Sequence, residues 1–267
     1  ADNRQYNPYW GYQGGKKRNS RVVNNFEPSA LLTWDFQIKD NMKLTTSAFF
    51  KYAMYSSTKL NYNGQNPAPD YWKNFPSNYV NVWEQDANAD WAGWQESYDY
   101  WTASKRNRQI NWDKLYYANK QLNSTGKDAV YWVEAKHNDH MVTNLGSTFD
   151  WDINRTTKFR AGLQLASNKG MHYTTMEDML GAQNFHNLNT YAIGEYASSD
   201  PRVQYDLNNP NGVVREGDRM RYDYDLWNQS ARIWAGITKD KGISHNFLTA
   251  KIGGTQMWRN GYMNNGM

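Results

Sequence analysis

The acidic string Asp86-Ala87-Asn88-Ala89-Asp90 sets oxygen-bearing side chains at alternate positions, as the opening of a calcium-binding loop does. Such a loop then wants glycine next and a bidentate glutamate at the twelfth position. Trp91 and Ser97 stand there instead, so the string reads as a solvated loop. His137, Asp139 and His140 are the other metal candidates. On an extended strand, His137 and Asp139 point to one face and His140 to the other, so without a bulge they cannot share an ion. His172, His186 and His245 are isolated in the sequence. Glu84, Glu96 and Asp99 are carboxylates of the kind that pair across a glycosidic bond, but nothing in their spacing brings two together. No nucleophile elbow, phosphate-cradling glycine loop or His-Glu-x-x-His motif is present. The expectation is a chain with no catalytic residues, no metal and no cofactor.

The chemistry that remains is aromatic. Trp72, Trp83, Trp91, Trp94, Trp101 and Trp112 all fall between residues 61 and 126, among several tyrosines. Flat rings give large contact area at little rotamer cost, which suits a sugar, a peptide or an amphipathic small molecule. Trp72, Trp83, Trp91, Trp94 and Trp101 are therefore the candidate ligand-binding residues. The plainer alternative is that they pack a long segment against itself.

What must position these residues is a set of three hairpins. Phe26, Ala30, Leu32, Trp34, Phe36 and Ile38 alternate with Glu27, Ser29, Thr33, Asp35 and Gln37; after Lys39-Asp40-Asn41 the alternation resumes with Leu44, Ala48, Phe50, Tyr52 and Met54. The second hairpin runs through Met141, Leu145, Phe149, Trp151 and Ile153, turns at 154–156, and returns with Phe159, Ala161, Leu163 and Leu165. The third has Trp227, Ala231, Ile233, Ala235 and Ile237, a turn at 239–242, then Leu248, Ala250 and Ile252. Period-two alternation means one apolar and one wet face per strand. Six strands are expected, near 25–38, 43–60, 129–153, 157–176, 220–238 and 243–262. Long connections fill 61–126 and 177–219, with a short helix possible over Asn107–Leu122, and residues 1–24 read as a loop.

Short turns alternating with long connections, and runs long enough for a tilted crossing, match a transmembrane β-barrel. Phe26, Leu32, Phe36, Leu44, Phe50, Leu145, Phe149, Phe159, Leu163, Ile233, Leu248 and Ile252 should share its convex face. Glu27, Asp35, Lys51, Arg160, Arg232 and Lys251 should line the concave one. All three turns should lie at one end, and at least two candidate tryptophans should turn exposed rings to the concave side. The fold class is thus all-β, an antiparallel barrel segment with two long extracellular loops. Six strands cannot close such a barrel, because an open edge facing lipid leaves backbone groups unsatisfied. Residues 1–267 are read as one partial barrel domain, cut from a longer protein whose export signal would lie upstream.

Composition agrees. Mean hydropathy is −0.96, yet 16% of residues are aromatic, with 13 Trp and 20 Tyr. Lumen-facing residues would dilute the hydropathy of a barrel. The net charge of +4 is interspersed, with no basic arm of the kind that tracks phosphates, which argues against nucleic acid. There is no cysteine, hence no disulfide, thiolate site or thiol nucleophile.

The stretches YNPYWGYQGGKKRNSRV (6–22), NPAPDYWKNFPSNY (66–79), QINWDKLYYANK (109–120), NKGMHYTTMEDMLG (168–181) and DLNNPNGVVREGDRMRYDYD (206–225) carry a family likeness. In that order they resemble the barrel of TonB-dependent outer-membrane receptors of the Bacteroides type. The resemblance implies a barrel of roughly 22 strands, usual for plugged outer-membrane transporters, in the outer membrane of a Gram-negative bacterium. It implies active uptake of a small-molecule, glycan or peptide substrate, with outer-membrane lipid and the TonB complex as partners and room for a surface lipoprotein. It also implies a plug and a TonB-contacting segment, to which no stretch of this chain corresponds. A passive porin-like channel and a soluble aromatic-rich glycan-binding β-domain are the alternatives.

Overall fold

The computed structural model describes residues 6–80 and 89–266. Nine strands and two α-helices follow one another: β1 (Trp10–Gln13), β2 (Lys16–Asn19), β3 (Val23–Phe26), β4 (Ser29–Lys39), β5 (Met42–Tyr62), α1 (Trp91–Ala103), α2 (Trp112–Asn123), β6 (Tyr131–Asn154), β7 (Thr157–Asp178), β8 (Arg219–Lys241) and β9 (Ser244–Gly261). One antiparallel sheet holds β3 to β9 in sequence order, with β3 and β4 both pairing β5. They form one strand interrupted at Glu27-Pro28. Proline has no N–H for a ladder, so the pairing with β5 is interrupted there while the Pro28 carbonyl still accepts from the Tyr52 N–H at 3.1 Å.

All three tight turns lie along one end. The backbone of Asn41 accepts from the Asp152 N–H at 2.9 Å, and Thr156 accepts from the Asp240 N–H at 2.8 Å, so each turn sits beside the next. The third turn falls later than the sequence suggests. The ladder runs to Lys241 opposite Ser244, because Gly242, at φ 60°, supplies the left-handed residue that the reversal needs.

Register settles the faces. Leu32, Ala48, Leu145, Leu165, Ala231 and Gly254 stand in one row across six strand positions; Phe36, Leu44, Phe149, Ala161, Ala235 and Ala250 stand in another. All twelve residues expected on the apolar face share it, and none is buried. Leu32 is 71% exposed, Ile252 72% and Leu248 73%, so no second sheet covers them. Asp35, Lys51, Arg160, Arg232 and Lys251 follow the opposite parity, with ion pairs such as Lys43–Asp35 and Arg160–Asp150 along that face. Glu27 lies between β3 and β4 and pairs with Lys51.

The buried core is at the other end, where the long connections return. Trp112 and Leu115 of α2, with Ile110 and Leu180, pack on Tyr131 and Val133, which continue the apolar face of β6. Phe185 and Val214 of the second connection pack on Trp132, Met176 and Met220, which continue the polar face. The two connections therefore clamp the sheet end from opposite sides.

The expected antiparallel β architecture makes up most of the described structure, with some helix added. The described residues are 53% strand and 15% helix, and the helix lies mainly in the first long connection. The helix suspected over 107–122 begins later, at Trp112, because Asn111 caps it through the Lys114 N–H and residues Lys105–Arg108 form a 3-10 turn instead. Residues 1–24, expected as loop, contain the β1–β2 hairpin, and Gly14 and Gly15, at φ 54° and 80°, make its turn. No helix among the described residues is long and apolar enough to cross a membrane.

Candidate functional site

The first long connection builds a cleft from its own helices. Asp90, the last residue of the acidic string, accepts from the Gly93 N–H at 2.8 Å and caps α1. This is helix-capping work, and Ser97 is buried in α1 with its hydroxyl donating to the Asn74 carbonyl at 2.9 Å. Asp86 and Asn88 lie outside the described residues, as do Glu84 and Trp83. The Trp101 indole N–H donates to the same Asn74 carbonyl at 2.7 Å, and its ring packs 5.0 Å from that of Phe75. These contacts dock α1 on the 3-10 turns Trp72–Asn74 and Pro76–Asn78.

Between these turns, α1 and the start of α2 lies a cavity of about 430 Å³. Its walls carry the amides Gln65, Asn66, Asn74, Asn107, Gln109 and Asn111, the rings of Tyr79, Tyr100, Trp101 and Tyr131, and the charged pair Glu96 and Lys114. Four amides have structural duties: Asn66 and Asn111 accept from backbone N–H groups, while Asn74 and Asn107 donate to the carbonyls of Ala68 and Tyr100. Gln109 is 5% exposed, and its Oε1 has no hydrogen-bond partner. The Tyr6 hydroxyl lies beside that amide, also without a well-formed hydrogen bond. Burial pushes Tyr6 up to about 12, opposed by nearby Arg108 and aided by Asp70.

The four candidate tryptophans among the described residues do not share one wall. Trp101 lines the cavity; Trp94 stacks on Tyr98 at 5.1 Å, with Trp91 6.3 Å from it; Trp72 packs edge-on to Tyr71. Trp72 and Trp91 are 58% and 63% exposed, so those two offer free ring surface. The amides were not singled out by sequence reasoning, because Asn and Gln are ordinary loop residues and only the fold converges them.

The other candidates resolve as local structure. His137 stacks on Tyr173 at 4.4 Å, and Asp139 accepts from the Tyr173 hydroxyl and the Tyr55 N–H. His140 is on the other face, 6.1 Å from His172, which the sequence alone left isolated. His186 pairs with Asp128 and His245 with Asp240. Asp99 accepts from Gln95 one helical turn before it. Among the described residues no three ligating side chains converge on a metal position.

The cleft is anchored to the sheet by two polar devices. Asn119 of α2, fully buried, donates to the carbonyls of Tyr131, Met179 and Leu180 and accepts from the Val130 and Tyr131 N–H groups. Arg18 of β2 lies over the Trp112 ring at 4.3 Å and pairs with Asp178 at 2.6 Å. Glu134, 1% exposed, receives Arg221, the Asn61 amide and the Trp132 indole N–H, and the Arg221 N–H donates to Asn187 of the second connection at 2.8 Å.

No known protein family, curated protein or solved structure was found to match the chain.

Proposed function

We propose that the chain forms part of the wall and external loops of an outer-membrane transporter of the TonB-dependent type, with no catalysis. The observation that carries this reading is the uncovered apolar face spanning six strand positions, with the three tight turns of the large sheet along one margin and both long connections at the other. Aromatic rows bound that face: Trp151 opposite Phe159 towards the turns, and Tyr52, Trp227 and Trp258 towards the connections. Trp227 and Trp258 stack at 5.5 Å. From Trp151 to Met141 the strand climbs about 34 Å. At a tilt of roughly 45° this is a height of about 24 Å, close to the apolar band of about 25 Å in outer-membrane barrels. One polar row, Thr143–Ser167–Gln229–Gln256, lies just inside the upper aromatics, as suits an interface.

Both sheet margins, β4 and β9, end in unpaired backbone. Lipid would leave those groups unsatisfied, so further strands must continue the wall. TonB dependence and active uptake rest on the sequence resemblance.

The test is surface labelling and uptake in cells carrying the full-length protein. Single cysteines at Trp72 and Asp240 should react from outside and from the periplasm respectively, and uptake should cease when the ion gradient is collapsed. Uptake that survives collapse makes the protein a passive channel. Purification from the cytosol without detergent makes it a soluble β-domain.

A further inference from the structure

We propose that His140 and His172 form a two-imidazole site for a divalent transition-metal ion (zinc, nickel or copper) on the polar face of the sheet. The two residues stand in neighbouring rows of β6 and β7, with Gly170 opposite His140 and Asn138 opposite His172. Their rings lie 6.1 Å apart, nearly at right angles. A Cβ added at Gly170 would stand 3.1 Å from His172 Nε2 and 3.6 Å from His140 Nδ1. Both nitrogens therefore border the space that this glycine leaves vacant. Gly170 is not among the glycines of positive φ, so its backbone does not call for glycine. A glycine inside a strand weakens it, and often marks the close approach of a ligand.

The two rings are prepared in different ways. Asn138 Oδ1 lies 2.9 Å from His172 Nδ1 and can only accept, so the ring hydrogen sits on Nδ1 and Nε2 keeps its lone pair. A metal-binding histidine is ordinarily oriented like this, by an acceptor on its other nitrogen. Tyr224, stacked on His172 at 5.1 Å, fixes the plane of the ring. The His140 side chain is exposed and makes no hydrogen bond among the described residues, so it has none to break in turning towards its neighbour. Metal–nitrogen bonds of about 2.0–2.1 Å bring the two nitrogens to roughly 3.4 Å in a tetrahedral site. Rotation of His140 about its own side-chain bonds closes the pair on the ion.

The surroundings select the class of ion. The shallow hollow of about 360 Å³ around Gly170 is lined by His140, Val142, Asn168, Leu226, Asn228 and Met257, with no carboxylate among its walls. Asp139 and Asp225 belong to the opposite face, where Tyr173 and Lys169 engage them. Calcium and magnesium favour carboxylate oxygens, whereas imidazole suits zinc, copper and nickel. Two protein ligands leave the other coordination positions to water, so the site is open and its ion exchangeable. It belongs to β6 and β7 alone and does not rest on the transport reading.

The experiment is a calorimetric titration of the full-length protein in detergent micelles, purified without a polyhistidine tag. The probes are zinc, nickel and copper(II) chlorides, with calcium and magnesium chlorides as comparators. For at least one of the three metals, the native protein should bind one equivalent more than His140→Ala or His172→Ala. The double variant should lose no more than either single one. Gly170→Val, which fills the space between the nitrogens, should weaken that equivalent about tenfold or more with circular dichroism unchanged. Electron paramagnetic resonance of the copper(II) form should show two coupled imidazole nitrogens in the native protein and in neither histidine variant. Equal counts in the native protein and both variants, loss in only one of them, displacement by calcium or magnesium, or a copper spectrum without imidazole coupling would overturn the assignment.

Discussion

The two ends of the sheet share the same strands and the same alternation, yet treat apolar side chains in opposite ways. Near the tight turns, Leu32, Ile233, Leu248 and Ile252 stand bare, whereas near the long connections Trp112, Leu115, Met176 and Met220 are almost fully covered. The first set has no protein partner to lose and the second is a conventional core. The difference teaches that alternation in a sequence defines a face but not what covers it. The cover comes from the connections, and only at the end where they return.

Substitutions can break this comparison. Trp112 is fully buried and donates to the Arg18 carbonyl at 3.2 Å, so Trp112→Ala should cost about 3–5 kcal/mol. Limited proteolysis should then cut within 105–127 while strands near the tight turns stay protected; an unchanged digest would show that the connection is held otherwise. Glu134→Ala should cost a similar amount, about 3–5 kcal/mol, by leaving Arg221 half-buried without its carboxylate. The paired change Glu134→Met with Arg221→Met should recover most of that loss, and equal damage from single and double variants would sink the ion-pair account. Thermal denaturation in micelles reads both.

At the bare end the sharpest contrast is between neighbours. Leu163→Arg should destabilise the membrane-inserted protein by about 2–4 kcal/mol. Gln164→Arg, on the opposite face, should change stability by no more than about 0.5 kcal/mol. Urea unfolding in lipid vesicles measures the pair. Equal, small effects would mean that the apolar face meets water, ending the barrel reading.

The smallest effect concerns a charge in the second connection. Hydrogen bonds from Arg202 hold the Asp200 carboxyl down at about 2, below its ordinary value. A depressed folded-state value stabilises above the unfolded pKa near 4. The contribution fades as pH falls through about 2. Carbon-detected NMR titration should find the Asp200 midpoint near 2, moving up towards 4 in Arg202→Gln.

Hairpins and faces were legible because alternation is enforced at every residue of a strand. Phe36, Leu44 and Phe149 report their row by parity alone. The interruption at Pro28 was legible in principle, since a ladder cannot use proline. Helix α1 was harder. Trp91, Trp94, Tyr98 and Trp101 recur at helical spacing after the Asp90 cap, but Gly93 and so many rings weaken helix propensity. The cavity was not legible at all, because Gln65, Gln109 and Lys114 meet only after α1 and α2 have docked. The packing of Trp94 and Trp101 on Tyr98 and Phe75 was hidden for the same reason.

Asn119 also dictates a schedule. Its one side chain substitutes for a stretch of ladder, joining backbone at the start of β6 to backbone just after β7, and the carbonyls of Met179 and Leu180 lie 60 and 61 residues beyond Asn119 in the chain. Helix α2 can bond Val130 and Tyr131 early, but its bonds to Met179 and Leu180 form only once the second hairpin has zipped from its turn at Arg155-Thr156 up to the far margin. The earlier connection is completed by backbone that follows it in the chain, so its last bonds are expected to form late. Pulse-labelled hydrogen exchange should show the amides of 112–123 gaining protection after those of β6 and β7, and Asn119→Ala should delay that last phase while leaving the hairpin's own rate unaltered.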